Sequence, residues 1–321
     1  MTIAILGEAI IDFIPNTAGT YRACLGGSPY NVTLGLARQG ESVSYLSPFS
    51  DDSLGERLHA SLREAGAQTP LARRSRYPTS IALIATDANG EPTYRLYRDG
   101  IADDDISFAE IKAHLPSDLT LLHTGSLALT PNQLPKVREL LQLMNDRSIP
   151  VSLDLNIRLC ATLDTTAYLH GVRALLPFAD IVKASNTDLV PLQLAADAEQ
   201  AAQVALQEMG SGMLILTQGK KETVLLAAGC SIKQATAHVA KVQDTVGAGD
   251  SFYAAFLAYL SRNQLCRLAV IRDPIGAAGP ATVQAALAFA NAAAAINVSR
   301  VGCSPATREE VEQFMARQTG A

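Results

Sequence analysis

Short apolar runs alternate with helical stretches through the middle of the chain, and this alternation constrains the fold more than any other feature. The apolar runs lie at residues 120–124, 151–154, 180–184 and 213–217. Helices are expected near 132–146 and 166–177, and from the third run to about 209. Strands that alternate with helices usually pair in parallel and carry helices on both faces. The pattern predicts an α/β fold with a doubly wound, mostly parallel sheet.

The N-terminal segment adds another strand and helix to this plan. The apolar run at 3–7 suits a central strand that is covered on both faces. Ser28 and Pro29 fit an N-cap and a first helical residue, and Gly40 fits the position just after the helix. The chain has 321 residues, of which 48% are apolar, and it shows neither a linker nor a repeat. A single domain over residues 1–321 is therefore expected.

Two segments depart from the alternation, at approximately 12–26 and 76–103. The second contains two strand-like runs, 80–86 and 93–98, and Asn89-Gly90 between them is a hairpin signal. Tyrosines and arginines on the run 93–98 suit a small β-lid over a polar ligand. A surface β-ribbon at a dimer interface explains the pattern equally well, and the two roles are compatible.

The composition argues against several classes of protein. A net charge of -5 disfavours a general nucleic-acid or membrane-surface role, so neither partner is expected. The five cysteines are widely spaced, without a metal-binding pattern, and are expected to be reduced thiols. The chain starts directly on a strand-like run, and polar residues interrupt its longest apolar stretch, 281–298. We therefore expect a soluble cytoplasmic protein with a buried helix at 281–298.

One segment near the C-terminus has the composition of a loop. Residues 272–280 include two prolines and two glycines between the last long helical stretches. A flexible surface loop is expected there. A flank of a nucleotide base is the second interpretation of the same segment.

The most informative local motif runs from Asp244 to Phe252 and sets two carboxylates around a run of small residues. Gly247 and Gly249 let backbone N–H groups converge, and the following helix adds the positive end of its dipole, so the turn suits an anion. Asp250 lies at the edge of this site, where a carboxylate can take a proton from an attacking hydroxyl. The alternative is a plain strand-to-helix turn with Asp250 as the N-cap.

Two other glycine-rich nucleotide motifs are excluded by single positions. A dinucleotide fingerprint would need glycine at position 252, which is phenylalanine. A phosphate-binding P-loop would need Ser or Thr after Gly219-Lys220, and Lys221 follows instead. A Rossmann dehydrogenase and a P-loop enzyme are therefore not expected.

Two long motifs, at 26–40 (GGSPYNVTLGLARQG) and 244–256 (DTVGAGDSFYAAF), resemble the two signatures of the ribokinase-like PfkB carbohydrate kinases. The resemblance extends from residue 3 to about 315. It implies an ATP-dependent sugar kinase with an α/β domain and a β-lid. Within the family, the chain looks most like the bacterial fructokinases.

The resemblance also implies the core of an active site. Asp250 matches the catalytic base, and Gly247, Ala248 and Gly249 match the anion hole for the transferring phosphate. Asp12, Gly27 and Asn31 match residues on the sugar side, where a carboxylate and an amide can hold neighbouring hydroxyls. The alternatives are a helix-start cap for Asn31 and a strand-end turn for Asp12.

Further sugar contacts are implied by two local matches. Arg158 ends a D-x-N-x-R motif at 154–158 that follows a predicted strand, and it would point at the sugar or at the phosphate. Tyr97 and Arg98 match a lid position near the sugar. Both matches are to fructokinase-like and ketodeoxygluconate-kinase-like members. The alternative for Arg158 is an ion pair with Asp154 across a turn.

Nucleotide and ion sites are implied in the second half of the chain. On the nucleotide side the matching residues are Thr217, Gly219 and Asn291. A monovalent cation site, with K⁺ as the candidate ion, would involve Asp244, Val246, Asn297, Arg300 and Gly302. Ser185 and Asp188 replace the Asn and Glu of a family motif that organises Mg²⁺ and phosphate through water, and Asp188 is expected to keep that role. Glu222 replaces a glycine in the turn after Gly219.

The function implied is phosphorylation of the primary hydroxyl of a monosaccharide, with fructose as the first candidate and 2-keto-3-deoxygluconate as the alternative. The expected small molecules are ATP, Mg²⁺ and K⁺, and a homodimer through the lid is the expected assembly. A sugar or nucleotide sensor without catalysis is the hypothesis from another class. That hypothesis predicts a degraded base or anion hole, and the sequence has neither.

Overall fold

Two β-sheets organise the chain in the computed structural model, which describes residues 1–16, 19–86 and 92–319. The Asn89-Gly90 turn lies outside the described residues. The strands are β1 Thr2–Leu6, β2 Ile10–Pro15, β3 Tyr21–Gly26, β4 Val43–Tyr45, β5 Ser80–Thr86, β6 Pro92–Tyr97, β7 Leu119–Gly125, β8 Val151–Asp154, β9 Ile181–Ser185, β10 Met213–Thr217, β11 Thr223–Ala227 and β12 Cys230–Gln234. The helices are α1 Ser28–Arg38, α2 Ser53–Glu64, α3 Phe108–Ala113, α4 Leu134–Asp146, α5 Thr165–Ala174, α6 Asn186–Leu189, α7 Ala198–Met209, α8 Ala248–Arg262, α9 Leu268–Arg272, α10 Pro274–Ala278, α11 Pro280–Val298 and α12 Arg308–Thr319.

The larger sheet has eight strands in the order β12-β11-β10-β9-β8-β7-β1-β4. The pairs from β10 to β4 are all parallel, while β11 and β12 add an antiparallel edge. The four apolar runs in the middle of the sequence become β7 to β10. Their carboxyl ends meet at one edge of the sheet, where ligands of α/β proteins bind.

Both faces of this sheet are covered, because successive side chains of each strand point to opposite sides. Ile3 and Ile5 belong to one apolar core, which includes residues of α1, α8 and α11. Ala4 and Leu6 belong to the other core, which includes residues of α4, α5 and α7. The expected α/β, doubly wound and mostly parallel architecture is confirmed.

The smaller sheet has four strands in the order β3-β2-β5-β6 and comes from the two segments that depart from the alternation. β2 pairs with β5 in parallel, and the two outer pairs are antiparallel. A short turn joins β1 of the main sheet to β2 of the smaller one, so the two sheets are directly connected along the chain.

Helices α1 and α8 approach each other closely on one face of the main sheet. A Cβ added to Gly35 in α1 would lie 2.5 Å from the Cβ of Ala254 in α8, and both residues are buried. Small residues at a helix crossing allow the two backbones to come together. This contact sets how closely α1 and α8 can approach each other.

The segment 272–280 is not the flexible loop that its composition suggested. Arg272 is the last residue of α9, and α10 begins at Pro274. Asp273 Oδ1 accepts a hydrogen bond from Gly276 N at 2.9 Å, so Asp273 and Pro274 act as a capping residue and a first-turn proline. Asp273 and Pro274 thus begin a helix, which the proline and glycine content of the segment did not indicate.

The predicted buried helix at 281–298 is confirmed as part of α11. Among the described residues it is the one helix long and apolar enough to cross a membrane, and 61% of its most apolar window is buried inside the protein. All five cysteines are free thiols.

Candidate active site

The glycine-rich turn lies at the start of α8. Gly247 precedes the helix with φ 70°, and α8 begins at Ala248. A Cβ on Gly247 would lie 2.3 Å from Cys303 Sγ, and a Cβ on Gly249 would lie 3.0 Å from Lys183 Nζ. The positive φ and the close approach both require glycine at 247. Since the first N–H groups of a helix have no partner inside it, the turn fits the predicted anion site.

Asp250 lies in the first turn of α8 and is held from α1. Ser28 Oγ donates a hydrogen bond to Asp250 Oδ1 at 2.7 Å, and Asn31 Nδ2 donates to Asp250 Oδ2 at 2.8 Å. The N-cap position of α8 is occupied by Gly247. The alternative interpretation of Asp250 as an N-cap is therefore wrong, and its carboxylate is free for another role.

The start of α1 differs by one residue from the prediction. The N-cap is Gly27, with φ 101°, and Ser28 is the first helical residue. A Cβ on Gly27 would lie 2.6 Å from Glu8 O, so glycine is required at this position too. Ser28 is thus not a cap, and neither is Asn31, whose backbone N–H donates to Gly27 O at 2.8 Å within the first turn. Both side chains are left to reach Asp250.

Asp12 lies inside β2, where it pairs with Cys24 of β3, and not in a strand-end turn. A Cβ on Gly26 would lie 2.3 Å from Asp12 Oδ2, so Gly26 makes room for this carboxylate. The pKa of Asp12 is raised to about 6, first by burial and then by the negative charge of Asp250, while the positive charge of Arg158 opposes the rise. The structure therefore brings these three charged groups to one place.

The predicted lid residues Tyr97 and Arg98 point in different directions. Tyr97 is 57% exposed. The Arg98 side chain is 12% exposed. Its Nη2 donates to Asp103 Oδ2 at 2.8 Å, and its Nη1 donates to Ser80 Oγ at 3.0 Å. Asp104 lies 3.4 Å from the same guanidinium. These contacts give Arg98 a structural role in the present geometry, and its direct contact with a sugar stays a prediction.

Arg158 follows β8, and it does not pair with Asp154 as the alternative proposed. Asp154 is fully buried and is bound instead by Lys183, whose Nζ lies 2.8 Å from Asp154 Oδ2 and 3.1 Å from Oδ1. Burial raises the pKa of Asp154 to about 7, and the positive charge of Lys183 opposes that rise. Arg158 remains exposed, and its charge acts on Asp12.

Ser185 and Asp188 form a capping box at the start of α6. Ser185 Oγ accepts from Asp188 N at 3.2 Å, and Asp188 Oδ2 accepts from Ser185 N at 2.7 Å. Asp188 Oδ1 accepts from Ile157 N at 2.8 Å, which ties α6 to the loop after β8. The described residues contain no group of three or more His, Cys, Asp or Glu side chains able to hold a metal ion. A contact from Asp188 to Mg²⁺ through water stays a prediction.

The residues expected on the nucleotide side are close to the end of β10. Thr217 is the last residue of β10, and Gly219 follows with φ 62° and open space around its Cβ position. Glu222, the departure from the family pattern, pairs with Lys233 at 2.8 Å. Asn291 is buried, and both ends of its amide are used: Oδ1 accepts from Thr223 Oγ1 at 3.0 Å and Nδ2 donates to Ala235 O at 3.1 Å. An adenine contact from Asn291 stays a prediction.

The residues of the predicted cation site come from the loop before α8 and from the end of α11 with the loop after it, and hydrogen bonds tie these segments together. Asp244 accepts from Val246 N at 3.0 Å and from Gly302 N at 2.8 Å, and Asn297 Nδ2 donates to Val246 O at 2.8 Å. The side chain of Arg300 turns away, towards Glu310 of α12. K⁺ binding stays a prediction, and these hydrogen bonds already hold the two loops beside the glycine-rich turn.

Three residues near the site were missed as functional candidates. Glu8 is 2% exposed, and its Oε1 accepts from Ser28 N at 3.0 Å. Ser28 and Lys183 are the other two. Burial raises the pKa of Glu8 to about 7. The sequence did carry a signal for Glu8 and Lys183. Each is a charged residue among apolar ones, and a charge that becomes buried requires a partner.

Comparison with known proteins identifies the family. The sequence model described as "pfkB family carbohydrate kinase" matches residues 2–310. The chain belongs to the PfkB family of carbohydrate kinases. The family predicted from the two motifs is thereby confirmed. The matched residues of the kinase include the glycine-rich turn, Asp250 and both segments of the β-lid.

Relatives of the kinase are similar along most of its length. A fructokinase of Rhizobium leguminosarum bv. trifolii is 31% identical over 264 residues, covering 81% of this chain and 79% of the relative. A probable fructokinase-5 of Arabidopsis thaliana is 29% identical, covering 95% of this chain and 93% of the relative. The crystal structure of a fructokinase with bound ATP from Xylella fastidiosa has a TM-score of 0.88 and 28% identity, and covers 99% of both chains.

Proposed function

We propose that this kinase transfers the γ-phosphoryl group of ATP to the primary hydroxyl of fructose and forms fructose 6-phosphate. The observation that carries the proposal is the position of Asp250, beside the glycine-rich start of α8 and with its carboxylate held by Ser28 and Asn31. The similarity to proteins named fructokinase supports fructose as the sugar.

The chemistry follows from these positions. Asp250 takes the proton of the attacking hydroxyl, the sugar oxygen bonds to the γ-phosphorus, and the bond from that phosphorus to the oxygen of ADP breaks. The N–H groups at the start of α8 stabilise the charge on the transferring group, and positioning supplies most of the remaining barrier reduction. Asp12 accepts hydrogen bonds from sugar hydroxyls. In this proposal Mg²⁺ arrives with the nucleotide phosphates, as is usual for this ion.

The charges around Asp12 favour a neutral sugar over 2-keto-3-deoxygluconate. A sugar acid would need an arginine for its carboxylate. Arg98 is already engaged by Asp103 and Asp104, which leaves Arg158 beside Asp12. Arg158 already opposes the negative charge of Asp12, so a second carboxylate would compete for the same cation.

Asp250→Asn tests the proposal directly. Removing the base should lower kcat by roughly 10²–10⁴-fold, while ATP binding and the melting temperature stay close to the wild-type values. Asp146→Asn, at an exposed aspartate of α4, is the matched control and should behave as wild type. Full activity in Asp250→Asn would refute the assignment of the base.

Substrate choice needs a separate experiment. ATP consumption should be measured against fructose, 2-keto-3-deoxygluconate, ribose, tagatose 6-phosphate and adenosine, with and without K⁺. The highest kcat/KM is expected for fructose. A higher value for another sugar would overturn the choice of fructose, and ligand binding without phosphate transfer across the whole panel would support the sensor hypothesis.

A homodimer through the lid is the proposed assembly, and the cytoplasm is the proposed location. The lid exposes the aromatic side chains of Tyr21, Tyr94 and Tyr97, which are 48%, 47% and 57% accessible. Burial of these rings against a second lid would remove apolar surface from water. The mass of the protein in solution should correspond to two chains, and a monomer mass would contradict the assembly.

A further inference from the structure

Ser28 and Asn31 both donate hydrogen bonds to Asp250, and Ser28 is the one that the sequence did not predict at the site. It is 6% exposed, and its hydroxyl reaches Asp250 Oδ1 at 2.7 Å across 222 residues of sequence. Asn31, which binds the other oxygen, is also a predicted sugar ligand. Ser28 has no such second role, so its hydroxyl is available to Asp250 throughout the reaction.

Two contacts with Glu8 fix the backbone of Ser28. Its N–H donates to Glu8 Oε1 at 3.0 Å, and Glu8 is 2% exposed. Gly27, immediately before it, has φ 101° and approaches Glu8 O so closely that a Cβ would lie 2.6 Å away. Glu8 and Gly27 thus determine where α1 begins, and with it the position from which the Ser28 hydroxyl donates.

A carboxylate held at one oxygen can still rotate about its last torsion angle, which is a soft one. Donors on both oxygens fix its plane. Each carboxylate oxygen has two lone pairs, so Asp250 keeps sites at which it can accept the proton of the sugar hydroxyl.

We infer that Ser28 is a positioning residue for the reaction, with its hydroxyl fixing the plane of the Asp250 carboxylate and Glu8 anchoring its backbone. This inference rests on the proposed role of Asp250 as the base. In this inference Glu8 and Ser28 both raise the rate of the chemical step, although neither needs to contact the sugar or the nucleotide.

Ser28→Ala removes the hydroxyl and leaves Asn31 as the remaining donor. Since a hydrogen bond to a charged group is among the stronger ones, kcat should fall roughly tenfold, with little change in KM for fructose or ATP. Ser28→Thr keeps a hydroxyl and should recover most of the rate. Thr33→Val is the matched control, because Thr33 lies in the same helix and its hydroxyl donates to Pro29 O at 2.8 Å, away from Asp250.

A double-mutant cycle separates positioning from a general effect on folding. If Ser28 acts through Asp250, Ser28→Ala should have no further effect on kcat in the Asp250→Asn background. Wild-type kcat in Ser28→Ala, or an equal loss in both backgrounds, would overturn the inference. Either result leaves the proposed function intact, because that is decided by the activity of wild type and of Asp250→Asn.

Discussion

The contact between Gly35 and Ala254 predicts that one added methyl group in α1 will impair catalysis more than stability. In Gly35→Ala the new Cβ would lie 2.5 Å from Ala254 Cβ. Since carbon atoms in contact sit about 3.5–4.0 Å apart, the helices must separate by about 1–1.5 Å. Ser28 lies about two turns before Gly35. A displacement of that size would take its hydroxyl out of hydrogen-bond range of Asp250, from the present 2.7 Å.

The cost in stability should be small. Overpacking a core typically costs about 1–3 kcal/mol, and replacing glycine by alanine inside a helix recovers up to about 1 kcal/mol. The variant should therefore stay folded, with a modest fall in the free energy of unfolding. Because a misplacement of about 1 Å can cost about 10²-fold in rate, kcat should fall by about that factor.

A coupled assay of ADP release gives kcat, and urea unfolding gives the stability. The decisive control is the double variant Gly35→Ala/Ala254→Gly, which moves the methyl group from one helix to the other and leaves the crossing as tight as before. It should recover most of kcat. Wild-type kcat in Gly35→Ala would refute the reasoning, and so would a double variant as inactive as the single one.

Two further predictions concern charge. The carboxyl of Asp12 has a pKa of about 6, so kcat/KM for fructose should fall as the pH drops through that value, because protonated Asp12 no longer accepts hydrogen bonds from the sugar hydroxyls. Arg158→Gln removes the positive charge that lowers this pKa and should move the midpoint of the pH profile upward. An unmoved midpoint would contradict this prediction. Lys183→Met leaves the fully buried Asp154 carboxylate without its partner, so urea unfolding should show a loss of about 3–5 kcal/mol. Asp154→Asn in the same chain should recover a large part of that loss, and unchanged stability in Lys183→Met would contradict the ion pair.

The main sheet and the position of Asp250 at the start of a helix could be predicted because each has a local signal. The strand that ends at Thr217 is a continuous apolar run, and Asp250 is marked by the glycines before it. The lid could be located as a break in the alternation. Each of these signals lies within a few residues of the feature that it predicts.

The partner that each polar side chain selects could not be predicted in the same way. Arg98 was predicted near the sugar, and the structure adds ion pairs with Asp103 and Asp104 that the prediction did not include. Asn291 was predicted on the nucleotide side, and the structure adds hydrogen bonds to Thr223 and Ala235 that its sequence position did not indicate. A sequence shows which groups a side chain carries, and only the folded chain shows which of several possible partners is within reach.

The two apolar cores are completed at different times as the chain is made. The core that contains Ala4 and Leu6 ends with Leu226, whereas the core that contains Ile3 and Ile5 also requires Phe252 and Ile296. On the ribosome, one side of β1 can therefore be covered while the other still faces water. Until α8 and α11 emerge, that side is an exposed apolar surface of the kind that chaperones bind and that aggregates.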